Sequence, residues 1–327
     1  MEKKIKREDS SIEDYDFIII GAGVSGLAAA MYSARLGMKT LCLGAAHGTE
    51  MPLGGVITTT NVVENYPGFI KISGLELAEK IKEHALFYEL VTLKEEKVEK
   101  VSKEKDKFLV CTKNNKYNSK AILIATGTKW KKLDIPGSKE YENKGVSYCA
   151  LCDSLLYKEK IVCIVGGGDG AAKEALLLAE HASRVYIIYR RERIKAEPIN
   201  MKRILSNKKI EIITNTNILE IRGDKFVRSV ILDKPYNGTN ELKVDGVFVA
   251  IGHEVLSDIA KTLGVNLNEK GEIIINHKTS ETNVAGIFAA GDVTDKPFKQ
   301  AIVGVAEGCT AAYFAYNYIK KEDSKDK

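Results

Sequence analysis

Gly21-Ala22-Gly23-Val24-Ser25-Gly26 follows an apolar run at residues 17–20 and opens an alanine-rich stretch at 27–36. The order reads as strand, tight turn, helix. Each glycine has a separate task in such a turn. Gly21 permits the bend, Gly23 lets the backbone approach a pyrophosphate, and Gly26 lets helix and strand pack closely, while the helix N-terminus presents N–H groups and partial positive charge. The plainer alternative is a tight strand–helix turn with no ligand.

About half a chain later the arrangement repeats. Gly166-Gly167-Gly168-Asp169-Gly170-Ala171 follows the apolar residues 160–165 and precedes a helical pattern at 172–179. A further apolar strand, residues 185–188, ends in Tyr189-Arg190-Arg191. That is where a dinucleotide fold reads the adenosine ribose, and an arginine fork there suits a 2′-phosphate. An exposed basic turn is the competing explanation.

Between the loops lies Cys149-Ala150-Leu151-Cys152-Asp153. A C-x-x-C can be half a zinc site, a redox pair or two unrelated thiols. There is no second C-x-x-C and the five histidines are scattered, which disfavours a four-ligand structural metal site. No metal is expected. The redox reading is the better one, since this spacing lets the sulfurs close a small ring and a depressed thiol pKa supplies a thiolate near neutral pH. Asp153 is placed either to move a proton when the disulfide opens or to cap a helix.

With these residues assembled, the chain resembles the low-molecular-weight thioredoxin reductases, FAD-dependent pyridine nucleotide–disulfide oxidoreductases, nearly from end to end. The resemblance also rests on Gly54-Gly55 with Thr58-Thr59-Thr60, Val63-Glu64-Asn65-Tyr66-Pro67-Gly68, Ala125-Thr126-Gly127, Val249-Ala250-Ile251-Gly252-His253, Gly286 to Asp292, and Gln300-Ala301. It implies FAD on Gly21, Gly23 and Gly26, with Gly54, Gly55, Asn65, Ala125, Gly127, Gly291 and Asp292 around it and Gln300 and Ala301 closing over the flavin. NADPH is implied on Gly166, Gly168, Asp169, Ala171, Arg190, Arg191 and Lys195. Electrons would pass from NADPH through FAD to the Cys149–Cys152 disulfide and on to a thioredoxin-like protein. Cys152 would face the flavin, Cys149 would attack the partner disulfide, and Asp153 would act as acid and base. The resemblance further implies a homodimer, and rotation of one domain against the other between half-reactions.

The chain departs from the family pattern in places. Tyr189 stands for a histidine, Lys195 for an arginine and Gly170 for a hydroxyl residue on the nucleotide side. Val56 replaces a common glutamine and Lys299 a common arginine on the flavin side, and the loop from Gly44 to Leu53 is longer than usual. Lysine keeps charge but loses the fork. NADH, ferredoxin or a deazaflavin therefore stay open as donors, another protein as acceptor, and a noncatalytic FAD-binding redox sensor as a reading of a different class.

The fold class expected is α/β: two Rossmann-like three-layer domains, an FAD domain (1–128 and 255–327) interrupted by an NAD(P)-type domain (129–254) carrying the C-x-x-C. Short antiparallel additions are expected at 108–112 and 227–232. With 327 residues, 44% of them hydrophobic, the chain can bury two modest cores. The N-terminus lacks the apolar core of a signal peptide and no run is long enough to span a membrane, so the expected compartment is the cytoplasm. Net charge is +5, but acids and bases alternate, as in Lys94-Glu95-Glu96-Lys97, which reads as solvated surface rather than a nucleic-acid groove. Cys42, Cys111, Cys163 and Cys309 read as structural thiols. The first fourteen and last seven residues read as mobile extensions.

Overall fold

The computed structural model describes residues 12–44 and 53–325. Its elements in chain order begin with β1 (Glu13–Ile20), α1 (Val24–Arg35), β2 (Thr40–Gly44), α2 (Gly74–Leu86), β3 (Val91–Glu95), β4 (Val98–Glu104), β5 (Lys107–Thr112), β6 (Lys116–Ile124) and β7 (Thr128–Trp130). The middle of the chain forms β8 (Val146–Ser147), α3 (Ala150–Asp153), β9 (Ile161–Val165), α4 (Asp169–His181), β10 (Arg184–Ile188), α5 (Pro198–Ser206) and β11 (Ile210–Ile213). It continues with β12 (Ile218–Gly223), β13 (Val227–Tyr236), β14 (Thr239–Lys243), β15 (Gly246–Val249) and β16 (His253–Val255), and closes with α6 (Asp258–Thr262), β17 (Ile287–Ala289) and α7 (Ala301–Lys325). Two compact units divide between Lys129 and Trp130 and between Glu254 and Val255.

The outer unit is built on a seven-stranded sheet of order β3-β2-β1-β6-β5-β4, with β17 alongside β6. The C-terminal half of β6 pairs with β17 in parallel, and its N-terminal half with β5 in antiparallel register. β1 shows why the central strands read as unbroken apolar runs. Ile18 and Ile20 enter one core, with Tyr117 and Phe108, while Phe17 and Ile19 enter the other, against α1 and α7. A strand covered on both faces has no polar side to alternate. Each such fully buried side chain contributes about 1.5–3 kcal/mol.

The inner unit has a five-stranded parallel sheet, β11-β10-β9-β15-β8, and a separate antiparallel sheet, β12-β13-β14. β9 divides its side chains in the same way, Val162 and Ile164 toward α4 and Cys163 toward the opposite core. Burial pushes the Cys42 thiol up to about 12 and raises that of Cys163 as well, so both behave as small hydrophobes.

Several expectations need correction. The antiparallel segments stand where expected, β5 between β4 and β6 in the main sheet and β13 at the centre of its own, and only β13, at ten residues, is longer than a short addition. Both ends of the described chain are ordered parts of the outer unit. Residues 1–11 and 326–327 of the two expected extensions lie outside the described residues, but Glu13 and Asp14 already pair with Tyr117 and Asn118, and α7 runs on through residues 321–325, with Asp323 accepting from Lys120 Nζ at 2.8 Å. A charged tail is therefore held by ladder bonds and an ion pair. The longer loop noted between Gly44 and Leu53 lies outside the described residues. Among the described residues no helix is long and apolar enough to cross a membrane.

One buried acid on α4 has a consequence for stability. Glu174 has an oxygen, Oε2, that is shielded from solvent and meets no hydrogen-bond partner, and burial raises its pKa from 4.5 to about 8. Between those values the folded chain holds a proton that the unfolded chain releases, so stability falls as pH rises through that window and levels off above it. Glu174→Gln removes the dependence. The variant is expected to exceed the parent by roughly 4–5 kcal/mol at pH 8.5 and to match it near pH 4.5, by urea unfolding at both values. Equal pH profiles for the two proteins would refute this.

Candidate active site

Both glycine loops sit where their sheets reverse strand order. In the outer unit the reversal falls between β1 and β6, and in the inner unit between β9 and β15. Such crevices at the carboxyl ends of strands are the binding positions of open α/β sheets. The two crevices share one local geometry. Ala125 N–H donates to Ile20 O and Ala250 N–H to Val165 O, each at 2.8 Å. A Cβ on Gly21 (φ +116°) would lie 2.2 Å from Ala125 O, and a Cβ on Gly166 (φ +151°) 2.2 Å from Ala250 O. Neither position accepts a side chain.

At the first crevice Gly23 is the N-cap of α1, with no side chain capping it and no acid in the first turn. A Cβ at Gly23 would meet nothing closer than 3.9 Å, and Gly54 N–H donates to Ala22 O at 2.9 Å, so Gly54 and Gly55 run alongside. Helix N–H groups left uncapped beside glycine backbone suit an oxyanion. Asn65 Nδ2 donates to Gln300 Oε1 at 3.0 Å, which joins segments 235 positions apart. Gln300 and Ala301 stand at the start of α7, and Gly127, in the left-handed region, follows Ala125.

The Gly291-Asp292 segment reaches the same crevice through α1. Gly291 (φ +81°) lies against Ser25, with room for a Cβ only 2.5 Å from Ser25 Oγ. Gly304 and Gly308 on α7 press on the same serine, at 2.3 Å from its Oγ and 2.1 Å from its O on the same measure. The sequence reading did not single out this glycine pair, although its four-residue spacing is a usable signal for close helix crossing. Lys299 is also explained. Its ammonium donates to the carbonyls of Asp292 and Thr294, each at 2.9 Å, and pairs with Glu272 Oε1 at 2.6 Å. All three donors are thereby spent on protein.

In the inner unit Gly168 caps α4 without side-chain help, and no atom lies within 4 Å of where its Cβ, or that of Gly170, would stand. Ala171 is buried under the loop. Tyr189 packs its ring on Gly167, and Lys195 N–H donates to Gly167 O at 2.7 Å, which folds the 189–195 segment back along the loop. Arg190, Arg191 and Lys195 are exposed. Asp169 is otherwise engaged. Its carboxylate accepts from Glu197 N–H and Asn200 Nδ2 and pairs with Lys173, and although burial opposes ionisation, these contacts hold its pKa below the ordinary value. Its visible task is to fasten the start of α5.

Cys149 and Cys152 are joined as a disulfide. Cys149 is half-buried and its Sγ accepts from Cys152 N–H at 3.2 Å, capping the four-residue α3, while Cys152 is exposed. Asp153 caps nothing. Its carboxylate accepts from Ser147 Oγ at 2.6 Å, and that same Oγ accepts from Cys149 N–H at 3.1 Å. Ser147, unrecognised in the sequence, thus ties the aspartate to the cysteine backbone. Beyond it Leu155 and Leu156 stand 72% and 76% exposed, apolar surface directly beside the disulfide. Among the described residues no group of three or more His, Cys, Asp or Glu is placed to hold a metal ion.

Comparison with known proteins places this geometry. The pattern of the pyridine nucleotide-disulphide oxidoreductase family matches residues 15–308. The chain belongs to that family. It is similar to the thioredoxin reductase of Bacillus subtilis (strain 168), 37% identical over 319 residues covering 94% of this chain and 95% of the relative. Similarity to the thioredoxin reductase of Mycolicibacterium smegmatis is also 37%, covering 94% and 98%. Among solved structures, Lactococcus lactis thioredoxin reductase superimposes with a TM-score of 0.88 at 36% identity, covering 94% of this chain and 99% of that one. As a family member the chain is an oxidoreductase that works with a flavin and a pyridine nucleotide.

Proposed function

We propose that this protein is a thioredoxin-disulfide reductase in which NADPH supplies electrons, FAD relays them, and the Cys149–Cys152 disulfide delivers them to a thioredoxin-like protein. The observation that carries this reading is a disulfide on the nucleotide-type unit, with an aspartate held beside it and apolar side chains exposed next to it. The outer unit is assigned to FAD and the inner one to the nicotinamide nucleotide. The residues present fit both groups: Gly23 leaves open space at the start of α1 with the Gly54 and Gly55 backbone alongside, and Gly168 leaves a similar opening at α4.

When bound, these cofactors supply the two-electron transfer that no side chain of the protein performs. The chain's own residues do the rest. Two electrons and two protons convert the disulfide to two thiols, and Asp153 is positioned by Ser147 to hold or pass one of those protons. A Cys149 thiolate attacks one sulfur of the acceptor's disulfide, and the other acceptor sulfur leaves as a thiolate. Cys152 then attacks Cys149 in the mixed disulfide, restoring the internal bond and releasing the acceptor as a dithiol. Leu155 and Leu156 offer the acceptor an apolar contact.

Anaerobic titration tests the donor. NADPH is expected to bleach the visible flavin band at far lower concentration than NADH, and Arg190→Ala with Arg191→Ala to narrow that preference at least about tenfold. Tyr189, Gly170 and Lys195 favour a second reading, in which reduced ferredoxin or a deazaflavin takes the place of NADPH. Bleaching by such a donor and not by either nicotinamide would select it.

A further inference from the structure

We propose that Glu307 is a positioning residue for the flavin, acting through the backbone of the turn at residues 291–294. This rests on the assignment of that turn to the flavin site. Glu307 is only 6% exposed, and its Oε2 accepts from Gly291 N–H at 2.8 Å and lies 3.4 Å from Thr294 Oγ1. Its other oxygen, Oε1, meets no hydrogen bond and faces Lys296 Nζ at 3.3 Å. A buried carboxylate is an expensive way to satisfy one amide, since a neutral acceptor would serve.

The charge becomes intelligible with the opposite side of the turn in view. The carbonyls of Asp292 and Thr294 point to the Lys299 ammonium, which is itself fixed by Glu272. Although burial opposes it, the hydrogen bonds of Lys299 and Asn268 hold the Glu272 carboxyl below its ordinary pKa. An anion thus draws the N–H at the head of the turn and a cation draws two of its carbonyls. Gly291 adopts a left-handed conformation there, with Ser25 of α1 against it. The orientation of these peptides, and with it the backbone presented to the flavin, is set by two opposed charges on α7 and just before it.

Glu307→Gln removes the charge and keeps the shape, because the amide oxygen can still accept from Gly291 N–H while the ion pair with Lys296 is lost. Flavin release from the holoprotein, followed by recovery of flavin fluorescence, is expected to quicken about tenfold in Glu307→Gln and further in Glu307→Ala. The visible flavin band should change shape, and the potential of the bound flavin should become more positive as negative charge is lost. Lys299→Met is expected to speed release as well, whereas Lys299→Arg restores it. Parental release, band shape and potential in Glu307→Gln would overturn the proposal, as would a lower melting temperature accompanied by none of these changes. If Glu307→Ala does not fold, Glu307→Gln and the Lys299 pair still decide. A colourless parent protein would instead overturn the flavin assignment itself.

Discussion

With Cys149, Cys152 or both replaced by serine, reduction of a protein disulfide is expected to fall at least about a thousandfold, while the flavin still accepts electrons from its donor. A serine hydroxyl can neither form the internal disulfide nor act as a thiolate, so the relay ends at the flavin. The two single variants should differ. Cys152→Ser leaves Cys149 able to attack but unable to be resolved, and a stable mixed disulfide with the acceptor is expected on a non-reducing gel. Cys149→Ser keeps the more exposed sulfur, and its serine Oγ can take over the capping bond from Cys152 N–H at the start of α3. Steady-state turnover and anaerobic flavin reduction, measured side by side, check the claim. Full turnover in the double variant would exclude the dithiol from the mechanism and leave the sensor reading.

The second large effect is expected at Gly21. A Cβ there would stand 2.2 Å from Ala125 O and 2.5 Å from Ala125 C, and Ala125 is tied to β1 by its N–H bond to Ile20 O. At φ +116° the backbone itself resists an L side chain. Clash and strain together put the cost of Gly21→Ala at about 3 kcal/mol or more, with loss of bound flavin, because the crevice floor is the atom that must move. Gly170→Ser serves as the contrast. No atom lies within 4 Å of its Cβ position and its backbone is helical, so its stability should stay within about 0.5 kcal/mol of the parent, and its added hydroxyl could strengthen nucleotide binding. Urea unfolding and flavin content per chain check both variants. A stable yellow Gly21→Ala protein would mean that Ala125 yields after all.

Much of the architecture was legible because it depends on neighbours in sequence. The apolar runs before Gly21 and Gly166 are strands covered on both faces, and the helices after them begin where glycine supplies an uncapped N-terminus. Cys149 and Cys152 declare themselves by spacing. The charged end of α7 read as a mobile extension, because nothing local to it shows that the helix is held against the sheet by Ala311, Ala312, Ala315 and Ile319. The contacts of Asp169 with Glu197 and Asn200 were not legible, because those partners lie 28 and 31 positions further along the chain.

What the sequence determined by itself is where the chain turns and which residue types stand at those turns, because the backbone freedom of glycine and the period of apolar residues are local properties. The tertiary structure alone decided that Glu307 and Lys299 grip one turn from opposite sides, that Ser147 joins Asp153 to Cys149, and that Gly304 and Gly308 admit Ser25. Those contacts link side chains to backbone groups whose positions exist only once sheets and helices have packed, and no spacing along the chain encodes them.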